Sequence, residues 1–266
     1  MFLIDDSAPT SVTHPTNFGR GYDESQVRPV NLPAMPFGDA PGQIKLIPRS
    51  DWSAIIKERK ARKAGLKFLR KRAANGQQMP TLDQNGQGYC WAYSVARCIQ
   101  YCRAYANLPY QRLSAHAVAC KVKNFRDEGG WCGLSAEYAR QHGYPSIATW
   151  PEKSMSRSND RPEVWEEAKQ NIITEGYYDL SLPVYNQNMM EEQIMTCLLN
   201  DIPVAADFSW WGHSVGLIDA DEIESGNFTY EGDNSWTDGW GEQGSFSLAG
   251  SKKKTMGAVA IAGIRL

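Results

Sequence analysis

The chain has 266 residues, of which 42% are hydrophobic and 22% are charged, and its formal net charge is −2. This apolar fraction is sufficient for a packed core, so a disordered chain is excluded as the overall description. The charge balance gives no global attraction to nucleic acid or membrane. The sequence has neither a run of about 18 apolar residues nor the basic and apolar regions of a secretion signal. We therefore expect a soluble protein.

Residues 1–50 form the first predicted unit, an extended proline-rich arm. They contain seven of the fourteen prolines and show no sustained helical or strand period. Proline is excluded from helix interiors and central strands, which favours an extended chain. We expect the arm to order against a partner chain or against the protein's own surface, and a flexible tail is the alternative.

Residues 51–80 are predicted to form a basic amphipathic helix and a linker. Nine Lys or Arg and one Glu lie between Lys57 and Arg72. A contact with nucleic acid is one interpretation, but a solvated face on a helix that packs along its apolar stripe is the favoured one. We expect this helix to stay docked on the rest of the protein, with a removable prosegment as the alternative. The stripe consists of Trp52, Ile55, Ile56, Leu66 and Leu69.

Beyond residue 80, helical patterns come first and strand patterns follow. Such an order predicts an α+β domain over 81–266, with a helical lobe at about 81–185, a β lobe at about 186–266 and a cleft between them. The helical patterns cover 90–106, 114–122, 134–142, 162–171 and 188–200. The strand patterns cover 202–208, 214–218, 228–231, 245–248 and 258–264.

Cys90 lies where a glycine-containing loop leads into a predicted helix. A thiolate at this position would face unpaired backbone N–H groups and the positive end of the helix dipole, which lowers its pKa and favours the nucleophile. A cysteine in an apolar helix is more often a small core residue, so Cys90 needs partners to support a catalytic role.

Three partners are available in the sequence. Gln84, six residues before Cys90, could donate an amide N–H to an oxyanion together with the Cys90 backbone N–H. His213 lies at the start of a predicted strand and could take the thiol proton. Asn234 follows the next strand and could hold the tautomer and orientation of the imidazole.

These segments resemble the papain family, the C1 cysteine peptidases. The resemblance covers roughly residues 80–266. It implies a papain-like two-lobed α+β fold, with a helical left lobe and an antiparallel β-barrel-like right lobe. It also implies a Cys90–His213–Asn234 triad with Gln84 in the oxyanion hole, and Trp236 shielding the hydrogen bond between His213 and Asn234. The matching segments are Gln84 with Cys90-Trp91-Ala92-Tyr93-Ser94, His213-Ser214-Val215-Gly216, and Asn234-Ser235-Trp236 with Trp240-Gly241-Glu242 and Gly244.

The resemblance extends to substrate-binding positions. It implies that Gly129 and Gly130 run beside a bound peptide backbone, although an ordinary glycine turn is the alternative. It also places four further residues near the S2 pocket. These are Trp131, Cys132, Val204 and Trp211.

Two departures from the family concern a disulfide of its secreted members. This chain has Gln87 and Asp127 at the two bridge positions, so Cys120 also lacks an obvious partner. We therefore expect six free thiols and a reducing, cytoplasmic location, with incorporation into a larger particle left open.

The predicted reaction is hydrolysis of a peptide bond through a thioester, with a peptide or protein as the substrate. Transpeptidation, isopeptide cleavage or deamidation by the same residues is one alternative, and a docking or structural component of a larger assembly is another. The arm is the candidate contact for a protein partner, whereas nucleic acid is disfavoured. No metal-binding or nucleotide-binding motif occurs, so we expect no cofactor.

Overall fold

A computed structural model describes residues 1–26, 35–36, 44–70, 78–173, 177–181 and 186–264. Within these ranges the chain forms eight α-helices and four 3₁₀ helices. The α-helices are α1 Thr10–Thr13, α2 Arg49–Arg62, α3 Leu66–Leu69, α4 Cys90–Tyr105, α5 Ala115–Val122, α6 Cys132–His142, α7 Pro162–Ala168 and α8 Gln187–Leu199. The 3₁₀ helices are Glu24–Gln26, Arg157–Asn159, Lys169–Asn171 and Gly250–Lys253.

The strands of the described ranges form one sheet in the order β1-β7-β6-β5-β4-β8-β3-β2. Its inner pairs are antiparallel, while the pairs at the two edges, β1 with β7 and β2 with β3, are parallel. The strands are β1 Leu3–Ile4, β2 Met35–Pro36, β3 Tyr177–Asp179, β4 Val204–Phe208, β5 His213–Glu224, β6 Asn227–Asp233, β7 Ser245–Leu248 and β8 Gly257–Ile261.

The α+β prediction is confirmed, but the barrel-like description of the right lobe is wrong. The two terminal strands, β1 and β2, do not pair with each other in the described residues, so the sheet is open. Each edge is instead covered by a two-residue strand from the N-terminal arm, which satisfies backbone groups that an exposed edge would leave unpaired.

The sheet separates two cores because successive side chains along a strand point to opposite faces. In β4, Val204, Ala206 and Phe208 pack into one core with side chains of α2 and α8. Ala205 faces the other way and packs into the core built by α4, α5 and α6. The buried helix α4 thus lies against the sheet, with its first residue at the junction of the two lobes.

Helix α2 is docked on the body of the protein, and the predicted stripe is divided because α2 ends at Arg62 and Leu66 and Leu69 lie on α3. Trp52 and Ile56 are buried in the core that contains α8 and the sheet. Five basic residues in the described part of this region pair with carboxylates of the same chain: Arg59 with Asp201 and Asp219, Lys60 with Asp221, Arg62 with Glu58, Lys67 with Asp221 and Glu231, and Arg70 with Asp233 and Asp238. These ion pairs favour the interpretation of a packed helix over that of a nucleic-acid contact. Across the ranges described, no helix is long and apolar enough to span a membrane.

Candidate active site

Cys90 is the first residue of α4, and its side chain has no solvent exposure. Burial raises the pKa of the Cys90 thiol to about 11, although hydrogen bonds with Ser214 and with the backbone of Gly21 act to lower it. Burial therefore acts against the thiolate that the helix N-terminus is expected to favour. Desolvation disfavours the charged form of the sulfur.

His213, the first residue of β5, is held by Asn234. The distance from His213 Nε2 to Asn234 Oδ1 is 2.7 Å. Asn234 Oδ1 also accepts the backbone N–H of Ser235, which fixes it as an acceptor. In the neutral ring Nε2 therefore carries the proton and Nδ1 is the free base.

The surroundings of His213 are apolar. Its ring stacks on Trp236 with centroids 4.4 Å apart, and Trp211 lies against it at 5.1 Å. Burial lowers the pKa of His213 to about 3, while the hydrogen bond with Asn234 acts to raise it. Nδ1 is buried without a hydrogen-bond partner in the described structure. The ring is therefore neutral at pH 7, with its basic nitrogen unused.

Gln84 is fixed by contacts on both sides of its amide. Its Oε1 accepts a hydrogen bond from Ser235 Oγ at 2.5 Å, and its Nε2 donates to the Gln87 carbonyl at 2.6 Å. The second N–H of the amide remains available. The contact with Ser235 also ties the loop before α4 to the residue that follows Asn234.

The cleft is filled by the protein's own residues 18–23, here named the covering segment. Tyr22 forms a parallel bridge with Gly130, in which Gly130 N–H donates to Gly21 O at 2.8 Å and Asp23 N–H donates to Gly130 O at 2.9 Å. On the other side, Tyr22 N–H donates to Gly212 O at 3.2 Å. The described part of the predicted arm thus orders against the protein's own surface, and it does so over Cys90.

Three tryptophan side chains of the β lobe hold the N-terminal region by backbone recognition. The indole N–H groups of Trp240, Trp211 and Trp236 donate to the carbonyls of Val12, Thr13 and Gly19 at 3.0, 2.5 and 2.9 Å. In addition, Phe18 stacks on Trp236 with centroids 5.5 Å apart. Because an indole N–H can only donate, each of these buried groups needs such an acceptor.

A hydrogen bond joins Asp127 to Gly88, the residue after Gln87. Asp127 Oδ1 accepts the backbone N–H of Gly88 at 2.7 Å, which connects the loop before α4 to the segment before Gly129. All six cysteines have free thiols, and all are buried.

Some of the residues predicted to bind substrate contact the N-terminal region, and others pack into the two cores. Gly130 contacts the covering segment directly, and the Gly129 carbonyl accepts from Gln26 Nε2 at 3.2 Å. Trp131 and Cys132 follow them and pack in the core of the helical lobe. Trp211 lies beneath His213. Val204, in contrast, packs into the core of the β lobe with its side chain on the face of β4 opposite to that of Asp207.

Sequence reasoning missed Asp207, which the structure places at this site. It is fully buried and accepts hydrogen bonds from Ser214 Oγ at 2.5 Å, Cys132 N at 3.2 Å and Cys132 Sγ at 3.0 Å. Burial raises the pKa of Asp207 to about 7, and these hydrogen bonds act to lower it. In the sequence, Asp207 is recognisable as a single acidic residue within an otherwise apolar predicted strand. Among the described residues, no three His, Cys, Asp or Glu side chains are arranged to hold a metal ion.

No family model and no curated protein matches the sequence. Solved structures of other proteins do match this chain. Xylellain, a cysteine protease from Xylella fastidiosa, is 17% identical with a TM-score of 0.55, and the alignment covers 99% of this chain and 96% of that one. Digestive procathepsin L2 proteinase from Tenebrio molitor larval midgut is 18% identical with a TM-score of 0.59, over 96% of this chain and 81% of that one. Digestive procathepsin L 3 from the same source is 17% identical with a TM-score of 0.53, over 79% and 88%.

These similarities define the class of fold. The chain has the papain-like, two-lobed fold of the cysteine proteases. At this level of identity the likeness concerns the backbone architecture, so activity must be argued from the residues of this chain.

Proposed function

We propose that the protein is a cysteine-type peptidase that hydrolyses peptide bonds with Cys90 as nucleophile, His213 as general base and acid, and Asn234 as the group that orients His213. The observation that carries this proposal is the buried hydrogen bond from His213 Nε2 to Asn234, which leaves Nδ1 as an unused base. Its supporting context is a neighbouring helix that begins with a cysteine.

The reaction begins when a substrate replaces the covering segment. Nδ1 of His213 takes the Cys90 proton, and the sulfur attacks the carbonyl carbon of the scissile bond. The free N–H of Gln84 and the backbone N–H of Cys90 stabilise the oxyanion. His213 then protonates the leaving amine, and afterwards it activates the water that hydrolyses the thioester.

The conformation described here is a resting one. Both Cys90 and His213 are neutral at pH 7 because burial raises the pKa of the thiol and lowers that of the imidazole. Displacement of the covering segment would admit water and a substrate. Solvation would then favour the thiolate–imidazolium pair.

A docking or structural role is the second candidate, and the filled cleft is the observation that favours it. A component of a larger assembly could use the same body with Cys90 permanently covered. The same residues would also support transpeptidation, isopeptide cleavage or deamidation, which differ from peptide hydrolysis in the acyl donor or the acyl acceptor.

The test uses an epoxide or vinyl-sulfone probe on the intact chain and on a Gly21→Ala chain, in which a new methyl group would displace the covering segment. We expect covalent labelling of Cys90, stronger in Gly21→Ala, and cleavage of a peptide library by the same protein. Absence of both labelling and cleavage in the folded Gly21→Ala protein would reject the peptidase and favour the docking role.

A further inference from the structure

The ring of His116, on α5, is buried against the segment that leads into Cys90. It packs edge-on against the rings of Tyr89 and Tyr93, with centroids 5.2 and 5.6 Å away. The proposed reaction does not use this histidine. A neutral imidazole carries one donor and one acceptor nitrogen, so a buried ring needs a partner for each of them.

The partner of His116 Nδ1 is Tyr93, whose hydroxyl oxygen lies 2.7 Å away. The same hydroxyl donates to the backbone carbonyl of Asp83 at 3.0 Å. A tyrosine hydroxyl has one proton and a carbonyl can only accept, so the proton between Tyr93 and His116 belongs to Nδ1. Burial lowers the pKa of His116 to about 4, with Lys153 acting in the same direction and Asp83 in the opposite one. The ring is therefore neutral at pH 7, and its Nε2 is an acceptor.

The acceptor Nε2 of His116 faces the side-chain amide of Gln87. One terminal atom of this amide lies 2.6 Å from the Gln84 carbonyl oxygen, 3.0 Å from the Asn85 carbonyl oxygen and 3.3 Å from His116 Nε2. Because all three of these atoms are acceptors, the terminal atom is assigned as the amide nitrogen. The unprotonated Nε2 of His116 thus favours the orientation in which Gln87 directs its N–H groups at the two carbonyls.

Gln84 and Gln87 hold each other across the turn before α4. The backbone N–H and the side-chain amide of Gln87 both donate to the Gln84 carbonyl, at 3.1 and 2.6 Å. In return, Gln84 Nε2 donates to the Gln87 carbonyl at 2.6 Å. A reversed Gln87 amide would place its oxygen against the Gln84 carbonyl, and the repulsion between the two oxygens would open this turn. The orientation of Gln87 therefore matters for the position of Gln84.

We propose that His116 is a positioning residue for the oxyanion hole. Its protonated Nδ1 is anchored by Tyr93, and its unprotonated Nε2 keeps the amide nitrogen of Gln87 directed at the Gln84 carbonyl. The closed turn then holds the free N–H of Gln84 in place for the oxyanion. In this role His116 acts through Gln87 and Gln84 and not on the substrate itself. The inference rests on the proposed peptidase function, because it gives the turn a task in that reaction.

The kinetic test uses His116→Phe, which keeps an aromatic ring but removes both ring nitrogens, in a Gly21→Ala background. We expect kcat to fall about tenfold with KM little changed, because stabilisation of the oxyanion acts in the transition state. His116→Gln, whose amide oxygen can take the place of Nε2, should restore much of the turnover. His142→Phe, the same change at an exposed position of α6, is the matched control. Circular dichroism checks that each variant is folded.

A double-mutant cycle shows whether His116 acts through Gln84. In a Gln84→Ala chain, which should already have lost about 10²-fold in kcat, His116→Phe should cause no further loss. Equal losses with and without Gln84 would show that His116 supports the fold in general, and they would overturn the proposal. Full turnover in folded His116→Phe would also overturn it.

NMR spectroscopy of the isotope-labelled original chain tests the inference without turnover. We expect His116 to be protonated on Nδ1 alone at pH 7, and the side-chain amide protons of Gln84 to give separate, sharp signals that broaden in His116→Phe. A proton on Nε2, or unchanged Gln84 signals in His116→Phe, would overturn the proposal even if the protein cleaves peptides. If both NMR results are found and no peptide is cleaved, the positioning of Gln84 by His116 is supported and the peptidase function is rejected.

Discussion

Asp233 accepts a hydrogen bond of 2.9 Å from Arg97 Nε, which joins the residue before Asn234 to the helix that begins with Cys90. The same carboxylate accepts from Tyr101 at 2.7 Å, Ser245 at 2.6 Å and Arg70 at 2.7 Å. Burial acts to raise the pKa of Asp233, but the two guanidinium groups outweigh it and hold that pKa below its ordinary value. This network links the two lobes directly beneath the proposed site.

We predict that Asp233→Ala destabilises the protein by about 3–5 kcal/mol, because it leaves two buried guanidinium groups without their carboxylate. Denaturant unfolding followed by circular dichroism measures this loss. Glu58→Ala is the control, since Glu58 pairs with Arg62 on the exposed face of α2 and should cost less than about 1 kcal/mol. Equal effects of the two variants would contradict a structural role for the Asp233 network.

Removal of Gln84 should affect turnover selectively. In a Gly21→Ala background, we predict that Gln84→Ala lowers kcat about 10²-fold with KM little changed, because an oxyanion donor acts in the transition state. Cys90→Ala and His213→Ala should abolish hydrolysis. Gln78→Ala, at an exposed position, is the control. Near-normal turnover in folded Cys90→Ala would reject the mechanism.

His213 should make folding stability sensitive to acid. Its pKa lies at about 3 in the folded chain against an ordinary value of 6.5, so the unfolded state binds more protons between these pH values. The stability gained from the neutral ring is complete above pH 6.5 and is lost as the pH falls toward 3.

We therefore predict that His213→Ala flattens the pH dependence of the unfolding free energy between pH 6.5 and 4, by up to about 1.4 kcal/mol per pH unit. Urea titrations at several pH values measure the two slopes. Both proteins retain His116, whose lowered pKa acts in the same direction, and Asp207 and Glu231, whose raised pKa values act in the opposite one. If the unfolding free energy of the original chain and that of His213→Ala change with pH at the same rate, His213 is solvated in the folded protein.

Helix α2 should be essential for folding. The Trp52 side chain is completely buried, donates to the Ile47 carbonyl at 2.9 Å and packs edge-on against Phe228 at 5.1 Å. We predict that Trp52→Ala costs about 3–5 kcal/mol in a thermal or denaturant unfolding experiment, whereas Lys57→Ala on the exposed face changes little. A small loss of unfolding free energy in Trp52→Ala would instead support the alternative of a removable prosegment.

Much of the domain could be predicted from the sequence because its signals are local. The strand at Ser245–Leu248 has the predicted bounds, and the helix at Cys90–Tyr105 differs from its prediction by one residue. The residues proposed for catalysis were found because each lies in a short contiguous motif. The His213–Asn234 contact then follows from pairing of β5 with β6.

Other features depend on contacts between distant parts of the chain. Residues 18–23 have no periodic pattern, and only the glycines at 19 and 21 hint that another backbone approaches closely. The two-residue strands β1 and β2 become strands only because sheet edges accept them. The helix dipole at Cys90 is a local effect, whereas the burial that raises the pKa of this thiol depends on distant parts of the chain.

The covering segment belongs to a loop rather than to a free tail. On one side, β1 pairs with β7. On the other side, α2 is packed on the body through Trp52. A ligand tethered at both ends cannot be diluted away, and its effective concentration at the cleft is on the order of millimolar. A substrate at micromolar concentration would therefore compete poorly, and one backbone cut after residue 23 would still leave the segment attached through β1.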